Sequence, residues 1–164
     1  MEDALLAVLR WLHLTATVLW IGLAVSSVFV FTPLSRQHIP MAAMSDYISD
    51  LRKRAAAVVW TAIAIFSVSG FSLMLMSDNF NGFGDYFANT WTIVITLKHA
   101  VIGGMVLLAL YQFNGVMPKL AAALKSGAPE AKALAERQKS VAVWTALLGI
   151  LVLLLTAIAE VLAA

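Results

Sequence analysis

Two histidines, His13 and His99, stand inside long apolar runs of the chain, and their chemistry is the first thing to explain. Placing an imidazole in hydrocarbon is costly, so an ionisable ring within a membrane span marks a functional position by default. His13 lies 20 residues before Pro33 and His99 lies 19 before Pro118. At a rise of ~1.5 Å per residue the two rings sit at nearly equal depth, on spans that run in the same direction. Two imidazoles turned into one volume from facing helices form the ligand pair of a bis-histidine haem b in a four-helix bundle. His13 and His99 are therefore the expected ligands of a haem iron. Arg10, one turn from His13 toward the N-terminus, stands where haem propionates would emerge, and a guanidinium pairs well with carboxylates. Ala16 and Thr17 below His13, and Ile102 and Gly103 below His99, include small residues that would let a porphyrin plane approach. Lys98 stands about 100° around the helix from His99. It could snorkel outward, pair with a propionate or hold a catalytic charge. The competing account makes each histidine a hydrogen-bonding link between helices. With His38 in a loop, one haem is the most the chain could hold by histidine pairs.

A second donor set is His38, Met41 and Met44, a His-x-x-Met-x-x-Met spacing of imidazole and thioethers that suits Cu(I). Met1, Met74 and Met76 lie toward the other side, although most methionines in so apolar a chain serve packing. No phosphate loop, paired-histidine zinc helix or serine-nucleophile context occurs. The absence of cysteine excludes disulfides, thiolate nucleophiles, iron–sulfur clusters and covalent haem attachment.

The elements that must position these residues follow from composition. Of 164 residues, 62% are hydrophobic and 12% are charged, with a mean hydropathy of +0.89. Soluble domains carry about a quarter charged residues, so this chain cannot cover a surface that faces water. Four apolar stretches, Trp11–Phe31, Ala55–Met76, Trp91–Phe113 and Val141–Leu162, are each long enough to cross about 30 Å of hydrocarbon as a helix. The expected fold is all-α: an integral membrane four-helix bundle, forming a single membrane domain over residues 1–164. The first stretch follows Glu2 and Asp3 and exceeds the length of a signal-peptide core, so it reads as a retained span.

Charge sets the expected direction. The loops 32–54 and 114–140 carry Arg36, Arg52, Lys53, Arg54, Lys119, Lys125, Lys132, Arg137 and Lys139, whereas the opposite side holds Arg10 alone. This bias predicts cytoplasmic basic loops and both termini outside, in a bacterial plasma (inner) membrane. The outer loop 77–90 fits, with Asp78, Asp85 and no basic residue; its Asn79–Gly84 stretch predicts a turn with aromatic anchors. Pro40 predicts a short helix through Met44, Tyr47, Ile48 and Leu51. Pro129 predicts a helix from Glu130 running straight into the fourth span. The same basic residues are explained by topology and anionic lipid, so membrane lipid is an expected partner and nucleic acid is not.

The chain also repeats itself. Ala57–Ala62 and Val141–Ala146 both read apolar-Trp-Thr-Ala after a basic cluster, with Trp60 and Trp144 84 residues apart and Pro33 and Pro118 85 apart. Matching landmarks at one offset predict two pseudo-repeated helical hairpins related by an axis along the membrane normal.

Leu9-Arg10-Trp11-Leu12-His13 followed by Trp20-Ile21-Gly22 resembles the first span of the copper-resistance D (CopD) family and of the related HemJ-type protoporphyrinogen oxidases. Leu97-Lys98 leading to Asn114 and Pro118 is similar to the third span of CopD domains, and Arg52–Arg54 with the later Gly70 is similar to both families. The CopD resemblance implies copper uptake or tolerance. The HemJ resemblance implies b-type haem and porphyrinogen oxidation, with its first-span histidine at His13 and its intramembrane lysine at Lys98. The Tyr-His pair of that branch reads Tyr111-Gln112 here. The resulting expectation is a haem b-binding membrane protein for electron transfer or oxidoreductase chemistry near the outer face, with a quinol or small redox molecule as partner. Its alternatives are a CopD-like copper transport or binding protein and a HemJ-like protoporphyrinogen oxidase. A non-enzymatic accessory subunit and a homo-oligomer are both compatible with the sequence.

Overall fold

The computed structural model describes residues 2–84, 87 and 89–163, and every described regular element in it is helical. Asp85 and Met1, both weighed above, lie outside the described residues. The elements are α1 (Glu2–Ser26), a π-helical turn (Ser27–Phe31), α2 (Thr32–His38), α3 (Met41–Leu75), α4 (Thr90–Tyr111), a second π-helical turn (Gln112–Val116), α5 (Met117–Ser126) and α6 (Ala131–Ala163). They join into four continuous helical runs, each long and apolar enough to cross a membrane.

Pro33 and Pro118 do not end the spans, as the apolar stretches imply. Proline lacks an N–H and its ring crowds the carbonyl four residues back, which normally kinks or breaks a helix. Here the chain absorbs each proline by widening one turn. The N–H of Thr32 reaches back to the Ser27 carbonyl, and that of Met117 to the Gln112 carbonyl, five residues instead of four. The helix then continues as α2 or α5 with its proline in the first turn. Both π turns sit just ahead of their proline, so the repeat predicted from sequence extends to a backbone irregularity.

A second correction concerns Pro40. It caps α3, but the segment after it is no separate short helix: α3 runs unbroken for 35 residues. At ~1.5 Å per residue that is about 50 Å, well beyond the hydrocarbon thickness. Helix α6, of 33 residues, likewise runs through Lys132–Lys139 into its apolar part, as Pro129 predicts. Helix α4 starts at Asn89, whose side chain accepts from the Thr92 N–H at 2.8 Å. Helix α5 stops at Gly127, the left-handed residue (φ 66°) that lets Ala128 bond back to the Ala123 carbonyl. In the loop after α3, Phe80 and Phe83 pack edge to face at 5.2 Å.

Helix α1 packs along α3, and α4 packs along α6, so each hairpin closes on itself; α1 against α6 and α3 against α5 join the hairpins. Helices α1 and α4 are thereby diagonal. The main core is built from Ala16, Trp20, Ile21, Phe66, Met105, Ala109, Phe113 and Val152. Small residues set the close approaches, as expected where lipid offers no hydrophobic drive between helices. A Cβ added to Gly149 would stand 3.0 Å from Ile21 Cγ2, so α1 and α6 meet through that glycine. A smaller cluster of Met74, Trp91, Ile95 and Ala159 closes the end near the termini. Leucines and valines such as Val18, Leu107 and Leu154 cover the outside, a surface that matches acyl chains rather than water.

Candidate functional site

The histidine layer lies between the two apolar clusters. His13 turns toward α3. Its ring stacks on Phe66 at 4.2 Å and 27°, and its Nδ1 lies 3.2 Å from the Ser69 hydroxyl. Ser69 donates its own proton to the Ile65 carbonyl at 2.7 Å, so its oxygen is left to accept, and His13 Nδ1 takes the donor role. Gly70 makes the pocket possible: a Cβ there would sit 2.8 Å from His13 Cε1 and 3.2 Å from Nδ1.

His99 of α4 lies within electrostatic reach of His13, but its ring folds along its own helix. Nδ1 stands 2.7 Å from the Ile95 carbonyl and therefore carries the proton, since a carbonyl can only accept. The side chain is exposed on the flank of α4. The opposite flank meets α6 through Gly104, whose Cβ position is 4.0 Å from Leu148. His99 thus borders the opening between α3 and α4, which pack far less closely than the helices of either hairpin.

The inward stripe of α4 reads Trp91, Ile95, Lys98, Ile102, Met105 and Ala109, at helical spacing. Lys98, not His99, is therefore the residue of α4 that points to the bundle interior. It lies within electrostatic reach of Glu160 on α6 and of His13 on α1. Arg10 is exposed one turn beyond His13. The structure so gathers His13, Lys98 and His99 in one half of the bundle with Arg10 at its rim, and it adds Phe66, Ser69, Gly70 and Glu160. A lone acid in the last turns of an apolar helix is a sequence signal for Glu160. Nothing in the sequence alone pairs Ser69 with His13.

His38, Met41 and Met44 do not converge. His38 ends α2, Met41 begins α3 after the break at Pro40, and both are exposed, whereas Met44 is buried in the core. Among the described residues, no group of three or more His, Asp and Glu side chains could hold a metal ion.

A feature absent from the sequence reading lies in the other half. At the level of the two π turns the four helices enclose a cavity of ≈ 50 Å³, lined by Trp20, Ser27, Thr32, Gln112, Gln138 and Thr145 among apolar neighbours. That is room for a few water molecules at about 10–15 Å³ each. Beside it, the widened turn strips the Phe113 carbonyl of its donors, because Met117 bonds to Gln112 and Pro118 has no N–H. Arg52 of α3 supplies the replacement, its Nη1 standing 3.2 Å from that oxygen. Arg52 belongs to the basic cluster that topology explains, yet it also holds this turn.

Comparison with known proteins gives one family. The model of copper resistance protein D (CopD) matches residues 50–159, more than half of the chain. That stretch contains Phe66, Ser69, Gly70, Arg52, Lys98 and His99, while Arg10 and His13 precede it and Glu160 follows it. No curated protein and no solved structure matches. The HemJ branch finds no counterpart in these comparisons. With its four membrane-length apolar helices, the chain is a multi-pass membrane protein of the copper resistance protein D family.

Proposed function

We propose that this protein handles copper within the membrane, with His13 and His99 as its imidazole donors. One observation carries the reading: each ring commits Nδ1–H to an acceptor, Ser69 Oγ or the Ile95 carbonyl, and so leaves Nε2 as the lone pair for a metal. Imidazole suits copper, and the family's description points to the same metal. In this reading the His99 ring turns inward from the flank of α4 to join His13 on one ion, whose other positions are left to water, a thioether or a carrier. An incompletely enclosed ion suits passage better than storage. Lys98 and Glu160 beside the pair would set the charge that the layer tolerates when a cation enters. The basic loops face the cytoplasm in this reading, and both termini lie outside. Reporter fusions test that direction: Gly127 should read cytoplasmic and Gly82 external.

The test of ligation is metal content of the purified full-length protein. His13→Ala and His99→Ala should each strongly deplete bound copper, whereas His38→Ala should keep it. Full copper in both single variants overturns the site.

A haem b between the same histidines is the second reading. It is favoured by their matched depth on the diagonal helices α1 and α4, with Arg10 at the rim where propionates would leave. The purified protein would then show a Soret band that both histidine variants lose, and Arg10→Gln would lower the midpoint potential. Electron transfer with a quinol belongs to that reading alone.

A further inference from the structure

Outside the histidine layer, a groove of ≈ 520 Å³ lies at the basic end between α5 and α6. Its floor is Ala122, Ala123, Ala133 and Leu134. Lys119 and Arg137 stand at its membrane-near end, and Ser126 and Glu130 at its far end. Lys119 stands three residues past the second π turn, and Arg137 precedes the apolar part of α6 by one turn, so both cations mark where the apolar runs give way to the basic end. Among the described residues neither cation pairs with a carboxylate. The neighbouring Glu136 is taken by Arg36 at 3.2 Å, and the Arg137 guanidinium meets only the Tyr111 hydroxyl at 3.5 Å. Two cations facing one acid leave the groove with one uncompensated positive charge. A basic pocket between helices at this boundary is the chemistry that takes anionic lipid headgroups.

We propose that this groove binds the headgroup of a monoanionic phospholipid. Lys119 and Arg137 take the phosphodiester, and Ser126 and Glu130 face the hydroxyls of a glycerol headgroup. Glu130 also discriminates, because a second anionic charge on the lipid would meet its carboxylate.

The test places the full chain in phosphatidylcholine nanodiscs with a small fraction of phosphatidylglycerol and measures retained lipid by native mass spectrometry. Phosphatidylglycerol should be retained in preference to phosphatidylcholine. Lys119→Gln with Arg137→Gln should weaken retention about thirtyfold, on the basis of about 1 kcal/mol for each basic residue near an anionic surface. Lys53→Gln with Arg54→Gln, two exposed cations of the same end, should change it less than threefold. Equal losses in the two double variants would reduce the site to a general charge effect and overturn it. Glu130→Gln should admit phosphatidate, and an unchanged preference there would also sink the proposal. Glycerol phosphate added to pure phosphatidylcholine discs should not occupy the groove. Saturation by that soluble compound would replace the lipid with a free phosphate ester.

Discussion

The two hairpins share a backbone plan and differ in what their second helix offers the histidine of the first. In both, a π turn precedes a proline and a tryptophan stands near the middle of the long returning helix. In α1–α3, the imidazole of His13 enters a pocket of Phe66, Ser69 and Gly70 on the partner helix. At the 84-residue offset of the tryptophans, the corresponding positions of α6 are Ile150, Leu153 and Leu154, three large residues exposed toward lipid. Those positions face away from α4, so α6 offers His99 no equivalent pocket; the ring bonds to its own helix and Lys98 takes the inward place. The difference teaches that proline and tryptophan spacing builds the hairpin, whereas one glycine and one serine decide what its histidine touches.

The strongest way to break that contrast is to give the first hairpin the residue of the second. Gly70→Leu should expel the His13 ring and reduce copper binding roughly 100-fold or more, above the 10–100-fold typical of changes behind a ligand. Overpacking should also cost about 1–3 kcal/mol of bundle stability. Equilibrium copper titration with a thermal melt in detergent checks both, and unchanged affinity would disprove the pocket's role. Ser69→Ala is subtler. It removes the acceptor of His13 Nδ1–H while the ring keeps its place, so affinity should fall about 10–100-fold. No side-chain substitution can do the same to His99, whose acceptor is backbone.

At the other end, Arg52→Met leaves the Phe113 carbonyl without its donor and should cost about 1–3 kcal/mol. Faster amide exchange over 112–117, with copper binding retained, would separate this loss from the histidine layer. The smallest effect belongs to the Arg36–Glu136 pair that ties the hairpins together at the basic end. Its side chains are 45% and 57% exposed, so Arg36→Ala should cost at most about 0.5 kcal/mol by chemical denaturation. A loss above 2 kcal/mol would show that the hairpins depend on that link.

Sequence alone determined that the chain is four membrane-length helices, because 20-residue apolar runs have no other stable form in hydrocarbon. It also carried the 84- and 85-residue repeat of tryptophan and proline, which the structure extends to a π turn ahead of each proline. It did not determine which face of α4 turns inward. Periodicity marks the buried face of a helix in water, but in lipid both faces are apolar, and Lys98 and His99 stand only about 100° apart. Nor did it determine the fate of the prolines. Pro33 and Pro118 look like ends until a neighbouring guanidinium or a shifted N–H partner makes a wider turn affordable. The pairing of His13 with Ser69 and Gly70, 56 and 57 residues away, exists only once α1 lies along α3. Contacts across that separation are decided by how helices pack, and close packing between helices in lipid depends on where the small residues fall.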